Sequence, residues 1–169
     1  MLRSYILIIN LFNCSIYRSI WRYIITLDEL HDLWDADCTI NDNHLDRESV
    51  KTPNLHSKYL RFLIQHKMKL SALQADYNTT RQKKFRYYRG EMGKQELEEL
   101  KWNQWQGVKP LKNEMEEFLE GDSELNKANI KCEYIKGMIE ALESILGQIK
   151  SRDWQIRNAI TWKQFVAGS

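Results

Sequence analysis

From Leu55 to Arg89 the chain runs thirty-five residues without a proline or a glycine, and this stretch limits the possible folds more than any other. Apolar side chains at Tyr59, Leu60, Leu63, Ile64, Met68, Leu70, Leu73 and Tyr77 recur at intervals built from threes and fours. That spacing gathers residues on one side of a helix with 3.6 residues per turn. A helix is therefore predicted from near Pro53, capped by Thr52 or Asn54, to about Arg89, where Gly90 supplies a stop. No segment alternates apolar and polar residues over a useful length, so strands are not expected. The fold class read from this pattern is all-α, with extended helices and a C-terminal helical oligomerisation region.

Shorter elements flank the long helix. Thr26 followed by Glu29 forms a capping box ahead of Leu27, Leu30, Leu33 and Trp34, which predicts a helix that fades in the Asp- and Asn-rich residues 36–46. A second short helix is expected at Glu96–Trp105 and a third at Leu111–Leu119, with Gly107, Pro110 and Gly121 interrupting them. The chain divides into an N-terminal extension at 1–25, a helical strand-binding region at 26–125 and a C-terminal assembly region at 126–169. Residues 1–25 pair Arg3 with an apolar run at Ile6–Phe12, yet no small-residue cleavage site follows, and Asn10, Asn13, Arg18 and Arg22 break the run short of a membrane span. Their bias toward Ile, Tyr, Asn and Leu fits translation of AT-rich DNA upstream of a true start; a membrane-touching amphipathic segment is the alternative.

The net charge of +2 conceals strong segregation. Residues 28–48 carry a net −7, residues 58–89 a net +8, residues 91–124 a net −6 and residues 125–169 a net +3. Such a chain can attract a polyanion through one block while its total stays near zero, and its acidic blocks restrain indiscriminate binding. Three cysteines, Cys14, Cys38 and Cys132, are too few and too widely spaced for a disulfide framework. Cys132 falls in an apolar pattern as a packed thiol. Cys38 and His44 have no further ligands near them to complete a zinc pattern, so no metal is expected.

The strongest local signal is Arg81-Gln82-Lys83-Lys84-Phe85-Arg86-Tyr87-Tyr88-Arg89, which has five cations, three aromatic rings and no acid. Cations neutralise phosphates and release condensed counterions. Aromatic rings stack on exposed bases without reading sequence. Arg81, Lys83, Lys84, Phe85, Arg86, Tyr87, Tyr88 and Arg89 are accordingly candidate single-strand contacts, with Lys58, Arg61, Lys67 and Lys69 extending the same basic surface. A helix end with cations near its negative dipole pole accounts for Arg86 and Arg89 equally well, and Tyr87 or Tyr88 can equally be core. Catalytic signals are poor. Gly90-Glu91-Met92-Gly93-Lys94-Gln95 has two residues between its glycines where a phosphate loop needs four, and Gln follows the Lys in place of Ser or Thr. Glu98, Glu99, Glu116, Glu117 and Glu120 read as a solvated helix face, not an acid/base pair. The chain is expected to be non-enzymatic and to need no cofactor.

The most regular periodicity is at Ile130–Ile149. Ile135, Ile139, Leu142, Ile145 and Ile149, with Met138 and Leu146, form one stripe. Trp154, Ile156, Ile160, Trp162 and Phe165 form a second after an expected turn at Arg152-Asp153. An ordinary buried helix face and an intermolecular contact both fit the first stripe. The expectation carried forward is oligomerisation through Ile135, Ile139, Leu142, Ile145, Ile149, Trp154, Ile160 and Phe165.

Several of these segments resemble the UvsY family of tailed-phage recombination mediators. The opening helix at Leu27 carries the family's LDEL, and His56-Ser57-Lys58-Tyr59-Leu60 is similar to its Tyr-Ser-Lys-Trp-Leu. The segment ending Tyr87-Tyr88-Arg89-Gly90 resembles its Lys-Ala-Arg-Leu motif followed by Asp-Tyr-Tyr-Ser-Gly. Ile149-Lys150-Ser151-Arg152, Ala159-Ile160 through Phe165 and Ala167-Gly168 resemble its C-terminal helix and ending. The likeness runs from about Thr26 to Ser169, is loose over 91–124 and has no counterpart in 1–25. The family's first motif Lys falls on Gln82 and its Arg on Lys84, so Lys84 inherits the binding role most directly, with Lys83, Arg86 and Arg89 supplying charge that Gln82 does not. The resemblance implies a mediator of DNA recombination, repair and replication in the cytoplasm of the infected bacterial host. It implies a ring-forming homo-oligomer that binds single-stranded DNA and promotes loading of the phage recombinase onto DNA coated by the phage single-strand-binding protein. No membrane partner is expected. The alternative is a non-catalytic helical interaction protein whose basic segment contacts an acidic protein.

Overall fold

The computed structural model describes residues 25–168, and the readings placed on the N-terminal extension before Ile25 lie outside the described residues. The described residues form five helices and no strand: α1 (Leu27–Cys38), α2 (Leu45–Tyr88), α3 (Lys94–Leu100), α4 (Met115–Glu120) and α5 (Ser123–Ala167). The fold is all-α.

The start of α1 follows the local chemistry of its sequence. The Thr26 hydroxyl accepts from the Glu29 N–H at 3.3 Å, and the Glu29 carboxylate accepts from the Thr26 N–H at 2.8 Å, closing the capping box. The start of α2 differs from expectation. The helix begins at Leu45 and carries Pro53 in its interior, although proline removes one backbone donor and crowds the preceding turn. The extra turns are held by a distant residue: Glu48, buried at 2 % exposure, is paired with Arg152 at 2.5 Å. The end of α2 is as the sequence suggests, with Gly90 in the left-handed region at φ 68° and the Gly90 and Glu91 N–H groups donating to the Tyr87 and Arg86 carbonyls. Between α2 and α5 the helices are shorter than expected. Trp102 and Trp105 lie beyond α3, and residues 111–114 precede α4.

A larger difference concerns α5, which is one unbroken helix of 45 residues. No turn separates the two apolar stripes. Asp122 caps its start, its Oδ1 accepting from the N–H groups of Glu124 at 2.9 Å and Leu125 at 3.0 Å. Arg152 is helical and buried, and it donates to the carbonyls of Cys38 at 3.1 Å and Thr39 at 3.4 Å as well as to Glu48.

The chain forms two compact units, each built from separate parts of the long helices. One unit contains residues 25–69 with 137–168, and the other contains residues 70–136, so α2 and α5 each contribute to both. In the first unit Leu30, Tyr59, Leu63, His66, Met138, Leu142, Ile145, Ile149 and Ile156 are buried. Asp37 ties α1 to α2 by accepting from Lys58 at 2.5 Å and from the Tyr59 hydroxyl at 2.9 Å, and Trp34 meets Tyr59 edge-on at 5.5 Å. In the second unit Tyr88, Met115, Leu119 and Leu125 form a buried cluster, against which Tyr77, Tyr87, Trp105 and Phe118 pack. Cys132 is a buried free thiol there, as its apolar setting suggests, and burial raises its pKa above the ordinary thiol value.

Candidate nucleic-acid interface

The basic segment at the end of α2 turns two faces in different directions. One is inward. Lys84 is 8 % exposed, with its ammonium 3.1 Å from Asp122, 2.9 Å from Glu124 and 4.1 Å above the Trp102 ring. Burial works to lower the pKa of this ammonium, but the hydrogen bonds it donates to Glu124 and Asp122 and their Coulomb attraction outweigh it, and the net shift is upward. Tyr88 is 8 % exposed and donates its hydroxyl to Asp122 at 2.8 Å, and burial with that carboxylate pushes the phenol pKa up. Burial raises the Asp122 pKa, but the Leu125 N–H, the Tyr88 hydroxyl and Lys84 together bring it below the usual carboxylate value. Tyr87 makes edge contacts with Tyr88, Trp102 and Trp105 at 5.3, 5.3 and 5.9 Å. Lys84, Tyr87 and Tyr88 thus belong to the packing of this unit.

The other face is open. Asn78, Arg81, Gln82, Phe85 and Arg89 follow the i, i+3, i+4, i+7, i+11 spacing of one helix side. Asn78, Arg81, Gln82, Phe85 and Arg86 line a groove of about 510 Å³ together with Leu119. The Arg89 guanidinium lies 5.5 Å from the Phe85 ring centre. The cations here are paired with carboxylates of the acidic segment that follows in sequence. Arg86 makes a two-pronged contact with Glu96 at 2.7 and 2.9 Å, Arg89 meets Glu91 at 2.8 Å, and Arg81 is bonded to Glu116. These side chains are between a third and two thirds exposed, and exposed pairs of this kind contribute only about 0–1 kcal/mol each. A strand phosphate can replace them at small cost. Lys83 is half-exposed and makes no ion pair or side-chain hydrogen bond among the described residues.

The remaining candidate cations lie on α2 in the other unit. Lys58 is held by Asp37, exposed Lys67 pairs with Glu143 at 2.7 Å, and exposed Arg61 makes no side-chain ion pair among the described residues. A second cavity of about 560 Å³ is lined by Tyr88, Trp105 and Phe118, but Glu114 and Glu117 also line it and repel a phosphate chain. Among the described residues no group of three or more His, Cys, Asp or Glu is arranged to hold a metal, and no helix is long and apolar enough to cross a membrane.

The expected oligomerisation residues also separate. Ile135, Ile139, Leu142, Ile145 and Ile149 are 0–8 % exposed within the single chain. They are covered by its own residues, the ordinary-core reading of that stripe. Trp154, Ile160 and Phe165 are 68, 40 and 72 % exposed. Trp162 and Val166, at 65 and 67 %, join them, and Trp162 stacks on Phe165 at 5.7 Å. By helical spacing Trp154, Trp162, Phe165 and Val166 share a side, which Ile160 does not.

Sequence reasoning passed over the carboxylate partners Glu96 and Glu116 and the Trp102 ring beneath Lys84. Helical spacing alone could have separated Phe85 from Tyr88, but nothing in the sequence pairs Lys84 with Asp122.

A sequence model of the family described as "Recombination, repair and ssDNA binding protein UvsY" matches residues 33–169. No curated protein matches the sequence. Among solved structures, one crystal form of the bacteriophage T4 recombination mediator protein UvsY (lattice type II) is similar with a TM-score of 0.73 and 22 % identity, covering 85 % of this chain and 98 % of that one. A second form (lattice type IV) gives 0.70 and 20 %, covering 83 % and 98 %. At this identity the likeness is one of fold.

Proposed function

This chain belongs to the UvsY family, and from that membership we propose that it is a non-catalytic recombination mediator that binds single-stranded DNA and promotes recombinase loading onto DNA coated by single-strand-binding protein. The observation that carries the reading is the family match over residues 33–169 together with one helix, α2, that bears nine cations and a single acid between residues 58 and 89. Strand contact is assigned to the cations that remain accessible on α2: Arg61, Lys67, Arg81, Lys83, Arg86 and Arg89, with Phe85 as the stacking ring. Lys84, Tyr87 and Tyr88 pack on the inward side of the second unit's part of α2, and Lys58 is engaged by Asp37 in the first.

Mediation needs more than affinity. A homo-oligomer presents several basic helices to one strand, and weak sites then combine through effective concentration. Self-association is assigned to the exposed side of α5 around Trp154, Trp162 and Phe165, because large aromatic side chains standing in water are the usual mark of an interface. The setting is the cytoplasm of an infected host, and the partners are the phage recombinase and the coating protein.

An anisotropy titration with a labelled single strand at two salt concentrations tests the first half. Binding that weakens linearly in log–log form with salt is expected. Recombinase ATP turnover on coated DNA tests the second half. Stimulation by this chain with its cognate partners is expected, and its absence refutes the mediator role.

A further inference from the structure

The open face of α2 carries more than charge. Phe85, at 37 % exposure, stands in the wall of the groove with the amides of Asn78 and Gln82 on the same helix side and Arg81 and Arg86 beside it. The groove's size lies within the range of about 300–1,000 Å³ found for small-molecule sites. An aromatic ring offers one base a stacking face, amides offer both donors and acceptors and so accept any base edge, and guanidinium groups take phosphate oxygens. The two arginines already hold anions. Glu96 grips Arg86 with both carboxylate oxygens, in the fork geometry that guanidinium groups also use on phosphate, and Glu116 holds Arg81.

We propose that this groove is a nucleotide subsite of the strand-binding surface, in which Phe85 stacks on one base while Glu96 and Glu116 occupy the arginines until strand phosphates displace them. The inference rests on the reading that the chain binds single strands. It adds an identity for the stacking residue and an internal competitor that sets the affinity. A duplex keeps its base faces stacked on one another and offers Phe85 none, so the subsite selects single strands by the availability of a face.

The test compares an oligo(dT) strand of about fifteen nucleotides, within the span of known single-strand sites, with an abasic strand of equal length and charge. Wild type binds oligo(dT) more tightly than the abasic strand. Phe85→Ala weakens oligo(dT) binding by about tenfold, the effect of losing one stacked base, leaves the abasic strand unaffected and abolishes the preference; Phe85→Trp restores it. The Glu96→Gln, Glu116→Gln double variant binds both strands several-fold more tightly. Circular dichroism of each variant confirms that helicity is kept. Equal weakening on both strands by Phe85→Ala, or an unchanged or lower affinity in the glutamine variant, overturns the subsite. Failure of wild type to bind oligo(dT) at all overturns instead the reading on which it rests.

Discussion

Replacing Lys84 by Met separates a structural cation from a strand contact. The substitution keeps the apolar stem over Trp102 and deletes the charge, leaving Asp122 at 7 % exposure without its cation. At the observed separations of 3.1 and 2.9 Å, an effective dielectric of about 20 gives an attraction of roughly 5 kcal/mol per pair before desolvation is counted. Removing one member of a buried pair ordinarily costs about 3–5 kcal/mol. Two features reduce that here. Asp122 keeps its bonds from Tyr88, Glu124 and Leu125, and the Glu124 side chain is 52 % exposed, where solvent screens its share. The expected loss is about 2–3 kcal/mol, or roughly 5–10 °C in Tm for a chain of this size, read by circular dichroism at one fixed protein concentration because assembly shifts apparent stability. Single-strand affinity of the folded fraction should fall by no more than about twofold, since the ammonium is turned inward. The contrast is Lys83→Ala with Arg89→Ala, which removes two accessible charges and should lower the magnitude of the salt slope by about 1.4. A Lys84→Met protein that keeps its melting temperature but loses strand binding would refute the inward assignment.

Leu142 is 0 % exposed within one chain, so Leu142→Ala should cost about 2–5 kcal/mol, and Leu142→Glu should abolish cooperative unfolding; smaller species with full helicity in sedimentation would return this stripe to the subunit interface. Changing Trp162 and Phe165 together to Ser should leave helicity intact and yield smaller species by ultracentrifugation, together with a loss of stimulation on coated DNA, whereas unaltered assembly would place the contact elsewhere. Acid should destabilise the fold through two carboxylates. The hydrogen bond from Lys51 leads the lowering of the Glu48 pKa, with Arg152 adding to it against burial, and Asp122 is also lowered, from ordinary values of 4.5 and 3.8. A depressed folded-state pKa means that the stabilisation is complete above the ordinary value and is lost as pH falls through the lower one. Denaturant midpoints at about pH 7, 6 and 3 should be level between the first two and fall at the third, less steeply in Asp122→Asn, and a level profile throughout would contradict the buried-pair geometry.

What the sequence disclosed depends on how far apart the interacting residues lie. The Thr26–Glu29 box is written within four residues, and Gly90 marks the end of α2 by its own backbone freedom, so both could be read directly. The continuation of α2 through Pro53 could not, because its anchor, Arg152, is 104 residues from Glu48. The same residue misled the reading of α5: a polar Arg-Asp pair between apolar stripes looks like a turn until the Arg is seen to be buried. In the candidate site the density of cations was plain. Their division into an inward Lys84 and an outward Phe85 face was not, because it depends on Trp102, Asp122 and Glu124, which residue spacing does not connect to α2.

The unit that contains α1 is assembled from both ends of the described chain, and this sets an order of events during synthesis. The 67 residues of 70–136 are translated between its two halves, so at about 5–20 residues per second the apolar faces around Leu30 and Tyr59 wait roughly 3–13 s for Leu142, Ile149 and Arg152 to leave the ribosome. The intervening residues already include Tyr88, Met115, Leu119 and Leu125 and can close their own cluster during that interval. A ribosome that stops at about Lys136 therefore releases a chain with one unit complete and the other without the part of α5 that closes it, a species for chaperones and proteases to recognise.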